Sequence, residues 1–129
     1  MDKTTVSGLS LRVFEFDTPH SHERVVCFPT NYIDPEGFKG PLAIQMLDID
    51  DNGEVAGYYA VMTKNIDPYT GLQDQSDTRA FIDTNNGKHW GVTGFIERFG
   101  LAKDTGIRRH CGYCTYPLYE FDLSKFYAE

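Results

Sequence analysis

Residues 80–121 read AFIDTNNGKHWGVTGFIERFGLAKDTGIRRHCGYCTYPLYEF and contain, in order, a strand pattern, a helix pattern, a glycine-marked loop and an aromatic strand pattern. The helix pattern is an apolar stripe at i, i+3, i+4 and i+7, formed by Val92, Phe95, Ile96 and Phe99. Asn85 or Asn86 can cap the helix at its start, and Gly100 stands where a C′ glycine is expected. We therefore predict one main helix over about residues 87–99, with a strand on either side.

Four further strands are predicted from apolar runs between turn residues, at Leu9–Phe16, Arg24–Phe28, Leu42–Leu47 and Val55–Met62. Pro29 is expected to end the second of these, because proline cannot donate to a strand ladder. Asn52-Gly53 is expected to join the last two as a hairpin. Together these patterns predict an α+β fold, a mostly antiparallel sheet of about five or six strands with the helix packed on one face. With 129 residues, the chain is expected to form a single domain, 1–129.

The predicted hairpin turn has a second interpretation. Asp48–Gly53 reads DIDDNG and has the spacing of the first ligands of a calcium loop. The residue at position 12 of such a loop would be Tyr59, whereas calcium loops use a bidentate glutamate there. A solvated hairpin turn explains the same residues, so we predict the turn, with calcium binding as the alternative.

The formal net charge of −7 arises in the middle of the chain, because residues 34–83 contain ten acidic and three basic residues. Direct nucleic-acid binding is disfavoured, since phosphate contact requires a basic face. A protein partner with a basic surface is favoured, although an acidic surface also serves solubility alone. The candidate partner-binding residues are Asp48, Asp50, Asp51, Glu54, Asp74 and Asp77.

The sequence also bears on compartment and on enzyme class. It has no apolar run long enough to span a membrane, and its N-terminus lacks the apolar core of a signal peptide. Three cysteines are too few for a secreted disulfide framework, so a cytoplasmic protein is expected. Gly-x-Ser-x-Gly, P-loop and His-Glu-x-x-His motifs are missing from the sequence, so we predict no catalytic residues and no enzyme activity.

A Cys-x-x-Cys pair, Cys111 and Cys114, is the strongest chemical signal. Two thiolates at this spacing can bind one zinc ion, which requires about four ligands. The sequence has no second Cys-x-x-Cys, so the available donors are Cys27, the His20/His22 pair and the neighbouring His110, and Cys27 and His22 are the candidates for the remaining ligands. One structural zinc ion is therefore the candidate cofactor. The alternative is that Cys114 packs as a small hydrophobe beside an incidental Cys111.

Several segments together carry a family resemblance: Leu42–Met46, Ala80–Asn86, Trp90, Phe95-Ile96, Gly100-Leu101, Thr105-Gly106 and Gly112–Phe121. The most specific are Asp83–Asn86 (DTNN) and Cys114–Tyr119 (CTYPLY). The chain resembles a family of small bacterial and phage proteins of conjugative transposons, plasmids and prophages, catalogued as a domain of unknown function. The likeness covers residues 42–121, with residues 1–40 as a strand-rich segment outside it. It implies an accessory protein of a mobile element and carries over no catalytic residues.

Three functions follow as hypotheses from the acidity and the resemblance. The first is a non-enzymatic inhibitor, of anti-CRISPR or antirestriction type, that binds a CRISPR effector or restriction nuclease and blocks nucleic-acid loading. The second is a conjugation accessory module that binds element-encoded transfer proteins. The third, prompted by the Cys-x-x-Cys pair, is a small zinc-dependent enzyme or redox protein.

Overall fold

The structure is a computed structural model that describes residues 3–66, 74–86 and 91–128. The strands within these ranges are β1 (Lys3–Val6), β2 (Leu9–Arg12), β3 (Phe14–Thr18), β4 (Ser21–Ile33), β5 (Lys39–Ile49), β6 (Val55–Val61), β7 (Thr63–Lys64), β8 (Arg79–Ile82), β9 (Ala102–Cys111) and β10 (Cys114–Phe121). The helices are α1 (Val92–Arg98) and a 3₁₀ helix (Leu123–Phe126). No helix in the described ranges is long and apolar enough to cross a membrane.

The strands form three antiparallel sheets, which makes the predicted α+β class wrong. The sheet orders are β1-β2, β3-β4-β5-β6 and β7-β8-β10-β9. The only α-helix of the described residues is seven residues long, so the fold is mainly β. Two turns of helix bury too few side chains to cover a sheet, and a second sheet therefore supplies the opposing side of the core.

Side chains from both four-stranded sheets and from α1 meet in one main core. Its buried members include Phe14, Phe16, Cys27, Ile44, Met46, Ile82, Phe95, Ile96, Tyr119 and Phe121. The opposite face of the β3–β6 sheet carries a smaller cluster, in which Leu11 of β2 packs with Val26 and Ile49. Residues 1–40 thus contribute β3 and β4 to the same sheet as β5 and β6, and the hairpin β1-β2 covers that sheet's second face.

The predicted hairpin is confirmed, since β5 and β6 pair on either side of a turn with Gly53 at φ 79. The predicted strand Leu9–Phe16 is instead divided at Val13 between two sheets. The prediction that Pro29 ends its strand is wrong, because β4 continues to Ile33.

Pro29 is accommodated because no ladder hydrogen bond is needed on its nitrogen. Its partner Ile44 directs both backbone groups away from β4: the Ile44 carbonyl accepts from the N–H of Met62 (2.8 Å), and its N–H donates to Thr63 Oγ1 (3.3 Å). The pair is therefore a non-hydrogen-bonded one, and the proline nitrogen faces away from β5. On that side β3 pairs only with Ser21–Val25 and does not reach Pro29.

The helix stripe is confirmed, but the expected asparagine cap is wrong. Val92, Phe95 and Ile96 are buried, and Phe99 packs against the same core. The N-cap is Gly91, at φ 86 and without a side-chain cap, so α1 begins later than the predicted 87–99; residues 87–90 lie outside the described ranges.

The end of α1 follows the prediction closely. Gly100 has φ 64, and its N–H donates to Glu97 O (3.2 Å). The N–H of Leu101 donates to Ile96 O (3.0 Å). These two bonds are the Schellman arrangement, which satisfies carbonyls that the helix end leaves unpaired.

Strand β9 occupies the segment between the helix and the aromatic strand, where the sequence analysis expects a loop, so that expectation is wrong. It pairs with β10 at the edge of the third sheet, and all of its residues are exposed or half-buried. A strand with little apolar surface to bury shows no period-2 pattern, so local sequence cannot identify it.

Candidate functional site

The turn between β5 and β6 brings four of the predicted partner-binding residues together. The Asp50 carboxylate accepts hydrogen bonds from the N–H groups of Asn52 (2.9 Å) and Glu54 (3.0 Å), which closes the turn. Asp48 precedes it on β5 and is half-buried. Asp51 and Glu54 are exposed, and within the described residues their carboxylates make no hydrogen bond or ion pair. Asp51 and Glu54 are therefore the acids of this turn most available to a partner.

Asp74 and Asp77, the other two predicted residues, lie elsewhere and are engaged within the fold. The Asp74 carboxylate binds the Arg109 guanidinium of β9, with Nε 2.7 Å from Oδ2. Asp77 accepts a hydrogen bond from Asn31 (3.1 Å) and pairs with Lys39 at 3.4 Å. Lys39, the partner of Asp77, is the first residue of β5, and the acidic turn begins after the last residue of the same strand. Because β5 has eleven residues, Asp77 and the acidic turn are about 30 Å apart along the strand. The six acids do not form one surface.

Strand β6, beside the acidic turn, is an edge that carries no charged residue. Its sequence is VAGYYAV, and among the described strands it pairs with β5 alone. Val55 is 41% exposed and Tyr58 62% exposed, which leaves apolar surface on an open strand. Such edges are templates for contact with another chain.

The other edges of the two four-stranded sheets are protected. The edge strand β3 (FEFDT) contains two acids, and β9 (AKDTGIRRHC) contains four charged residues. The fourth edge, β7, has only two residues. Charge and short length are the usual means of preventing edge-to-edge pairing. Strand β6 is not among the sites predicted from the sequence, although the lack of charge across Val55–Val61 is visible there and marks the strand as a candidate contact edge.

Cys111 and Cys114 face each other across the β9–β10 hairpin. They are paired residues of the ladder, separated by the two-residue turn Gly112-Tyr113. Gly112 has φ 64, which fits a turn with glycine at its first central position. Cys111 is exposed and Cys114 half-buried, while Tyr113 is fully exposed at the tip.

The other two predicted zinc ligands lie in different surroundings. Cys27 is completely buried in the main core, and burial raises the pKa of its thiol to about 12. The hydrogen bond to Asp17 raises the pKa of the exposed His22, and the carboxylate of Glu15 lies 3.6 Å from its Nε2. Across the described ranges, no three His, Cys, Asp or Glu residues come together as a metal-binding group. The described residues therefore supply two candidate zinc ligands in one place, Cys111 and Cys114.

Comparison with known proteins supports the family resemblance. A family described as a domain of unknown function (DUF4313) matches residues 37–128, which span β5 to the 3₁₀ helix and exclude β1–β4. No curated protein matches the chain. No solved structure matches it either. Because the match covers well over half of the sequence, the chain belongs to the DUF4313 family.

Proposed function

We propose that this protein is a small, acidic, non-enzymatic accessory protein of a mobile element or prophage that works by binding a host defence nuclease. The partner would be a CRISPR effector or a restriction nuclease. Its contact surface on this chain would be the acidic turn together with the edge strand β6. The observation that carries the proposal is the position of the exposed acids Asp51 and Glu54 next to an uncharged, exposed edge strand.

The two parts of this surface have complementary physical roles. Exposed carboxylates attract a basic surface and accelerate its encounter with the protein, an effect that weakens as salt is added. Apolar side chains such as Tyr58 then provide contact area that is lost from water, and tyrosine is frequent among the residues that dominate interface energies. The resulting interface would be steered by charge and held by apolar contact.

Nucleases have basic channels because they bind phosphate. An acidic protein bound at such a channel excludes nucleic acid both by occupying space and by neutralising the positive potential. The proposed inhibition therefore requires no catalytic residue on this chain. It does require that this protein and nucleic acid compete for the same channel of the nuclease.

The first experiment is affinity capture of the tagged full chain from host lysate, followed by mass spectrometry and a nuclease assay with the recovered protein. We expect one nuclease at near-equal stoichiometry, inhibited in competition with nucleic acid. Recovery of transfer proteins instead would move the function to the conjugation module, and an unaffected nuclease would refute the inhibitor role.

Two matched charge reversals localise the surface. The double variant D51K/E54K reverses the charge of two exposed acids of the turn. The control E36K/E97K reverses two exposed acids elsewhere, so both variants change the net charge of the protein equally. We expect D51K/E54K to weaken nuclease binding by about tenfold or more, which is about 1.4 kcal/mol, and the control to stay within about threefold. Equal losses in both variants would show that total charge, and not this turn, governs binding.

A further inference from the structure

We propose that Cys111 and Cys114 are a reversible dithiol–disulfide pair that closes the tip of the β9–β10 hairpin. The two cysteines are direct partners in the antiparallel ladder. Directly opposed residues have Cα atoms about 4.5–5.5 Å apart and side chains on the same face. A disulfide requires Cα atoms about 4.4–6.8 Å apart, so the strand pairing already holds the two residues at a bridging separation.

The surroundings of the three cysteines make this pair the accessible one. Cys111 is exposed at the end of β9, where an oxidant can reach it. Cys114 is half-buried and packs against the cluster formed by Phe81, Tyr116 and Leu118. Cys27 has no exposed surface and lies in the main core. Cys111 is therefore the thiol that reacts first, and Cys114 the one that completes the bridge.

The chemistry balances with a low-molecular-weight disulfide, such as oxidised glutathione, as the oxidant. The Cys111 thiolate attacks one sulfur of that disulfide, which breaks the bond, joins one glutathione to Cys111 and releases the other. The Cys114 thiolate then attacks the Cys111 sulfur and releases the second glutathione. The protein loses two thiol protons and two electrons, and the oxidised glutathione is reduced to two glutathione molecules.

The bridge would stiffen the hairpin tip that presents Tyr113. That residue projects from a two-residue turn and is the most exposed of the large hydrophobic side chains in the described ranges. Restricting its backbone before contact lowers the entropy cost of ordering it in a complex.

The test treats the native, metal-free full chain with oxidised glutathione, blocks the remaining thiols with N-ethylmaleimide, and maps the peptides by mass spectrometry. We expect the peptide that contains Cys111 and Cys114 to lose two hydrogens and to carry neither reagent. Dithiothreitol should restore both thiols. Cys27 should react with N-ethylmaleimide only after denaturation.

The variant C114S serves as the matched control, because it keeps Cys111 but removes the resolving thiol. We expect it to accumulate a stable glutathione adduct on Cys111, as the second exchange cannot occur. Wild-type protein that retains both thiols, or that accumulates glutathione on either of them, would overturn the proposal.

Discussion

Replacing Phe95 by alanine tests whether α1 closes the main core. Phe95 is 5% exposed and is the buried residue of α1 whose ring contacts other aromatic rings of that core. Its ring makes edge contacts with Phe14 (5.6 Å between centroids), Phe16 (5.0 Å) and Phe99 (5.2 Å). The first two belong to β3, so the substitution removes the main aromatic link between the helix and the β3–β6 sheet.

The expected cost follows from this burial. A buried Phe→Ala substitution lowers the free energy of unfolding by about 3–5 kcal/mol, through lost transfer energy and the cavity that remains. Each aromatic pair adds about 0.5–1.5 kcal/mol to the stabilisation that comes from the buried surface area of the ring. Because Phe95 makes three such contacts, we expect Phe95→Ala to cost about 4 kcal/mol, in the middle of the range for a buried Phe→Ala substitution. At this chain length the melting temperature should fall by about 12–16 °C.

Urea unfolding, followed by circular dichroism, measures the change. The matched control is Glu97→Ala, an exposed position of the same helix, which should alter stability by less than about 0.5 kcal/mol. Both variants should keep the wild-type dependence on urea concentration if unfolding stays two-state. A cost below about 1 kcal/mol for Phe95→Ala would refute the argument, because the helix could not then be packed as described.

Two further predictions concern backbone packing and pH. Gly40→Ala places a Cβ 2.8 Å from the carbonyl oxygen of Tyr32, so it should lower the free energy of unfolding in urea by about 1–3 kcal/mol. The matched control Gly57→Ala places its Cβ where no atom lies within 4 Å, so it should be neutral or slightly stabilising. Equal effects of the two variants would contradict the strand geometry. The hydrogen bonds from Arg108 lower the pKa of Asp104 to about 2, so the stabilisation by this carboxylate is present above its unfolded pKa near 3.8 and is lost as pH falls through about 2. Because the pair is exposed, Asp104→Asn should cost less than about 1 kcal/mol at neutral pH. Thermal melts at successively lower pH should show the stability difference between variant and wild type shrinking, and a difference at pH 2 as large as that at neutral pH would contradict this ion pair.

Local sequence was sufficient to predict those elements whose stabilising contacts join residues close together along the chain. The Asn52-Gly53 hairpin was predictable because the turn requires a positive φ, which Gly53 adopts at little cost. The buried face of α1 and its Schellman end were likewise readable, since both depend on residues within two helical turns. The resemblance to a family catalogued as a domain of unknown function was also recognised from the sequence, and the match over residues 37–128 confirms it.

Contacts between segments distant along the chain determined the features that the sequence analysis predicts wrongly. Gly91 rather than Asn85 or Asn86 caps α1, and Pro29 lies inside a strand because the ladder leaves its nitrogen unpaired. Strand β9 exists because β10 offers it a ladder, not because of its own apolar pattern.

The candidate site shows the same division between local and long-range information. Composition identified the acidic segment, but the length of β5 separates Asp74 and Asp77 from the acidic turn. Likewise, the Cys-x-x-Cys spacing was visible in the sequence, whereas burial of Cys27 in the core was not. Residue type and local spacing specify turns, helix faces and reactive groups. Which edges stay open and which charges are neutralised depends on long-range pairing, because burial is a property of the assembled sheets.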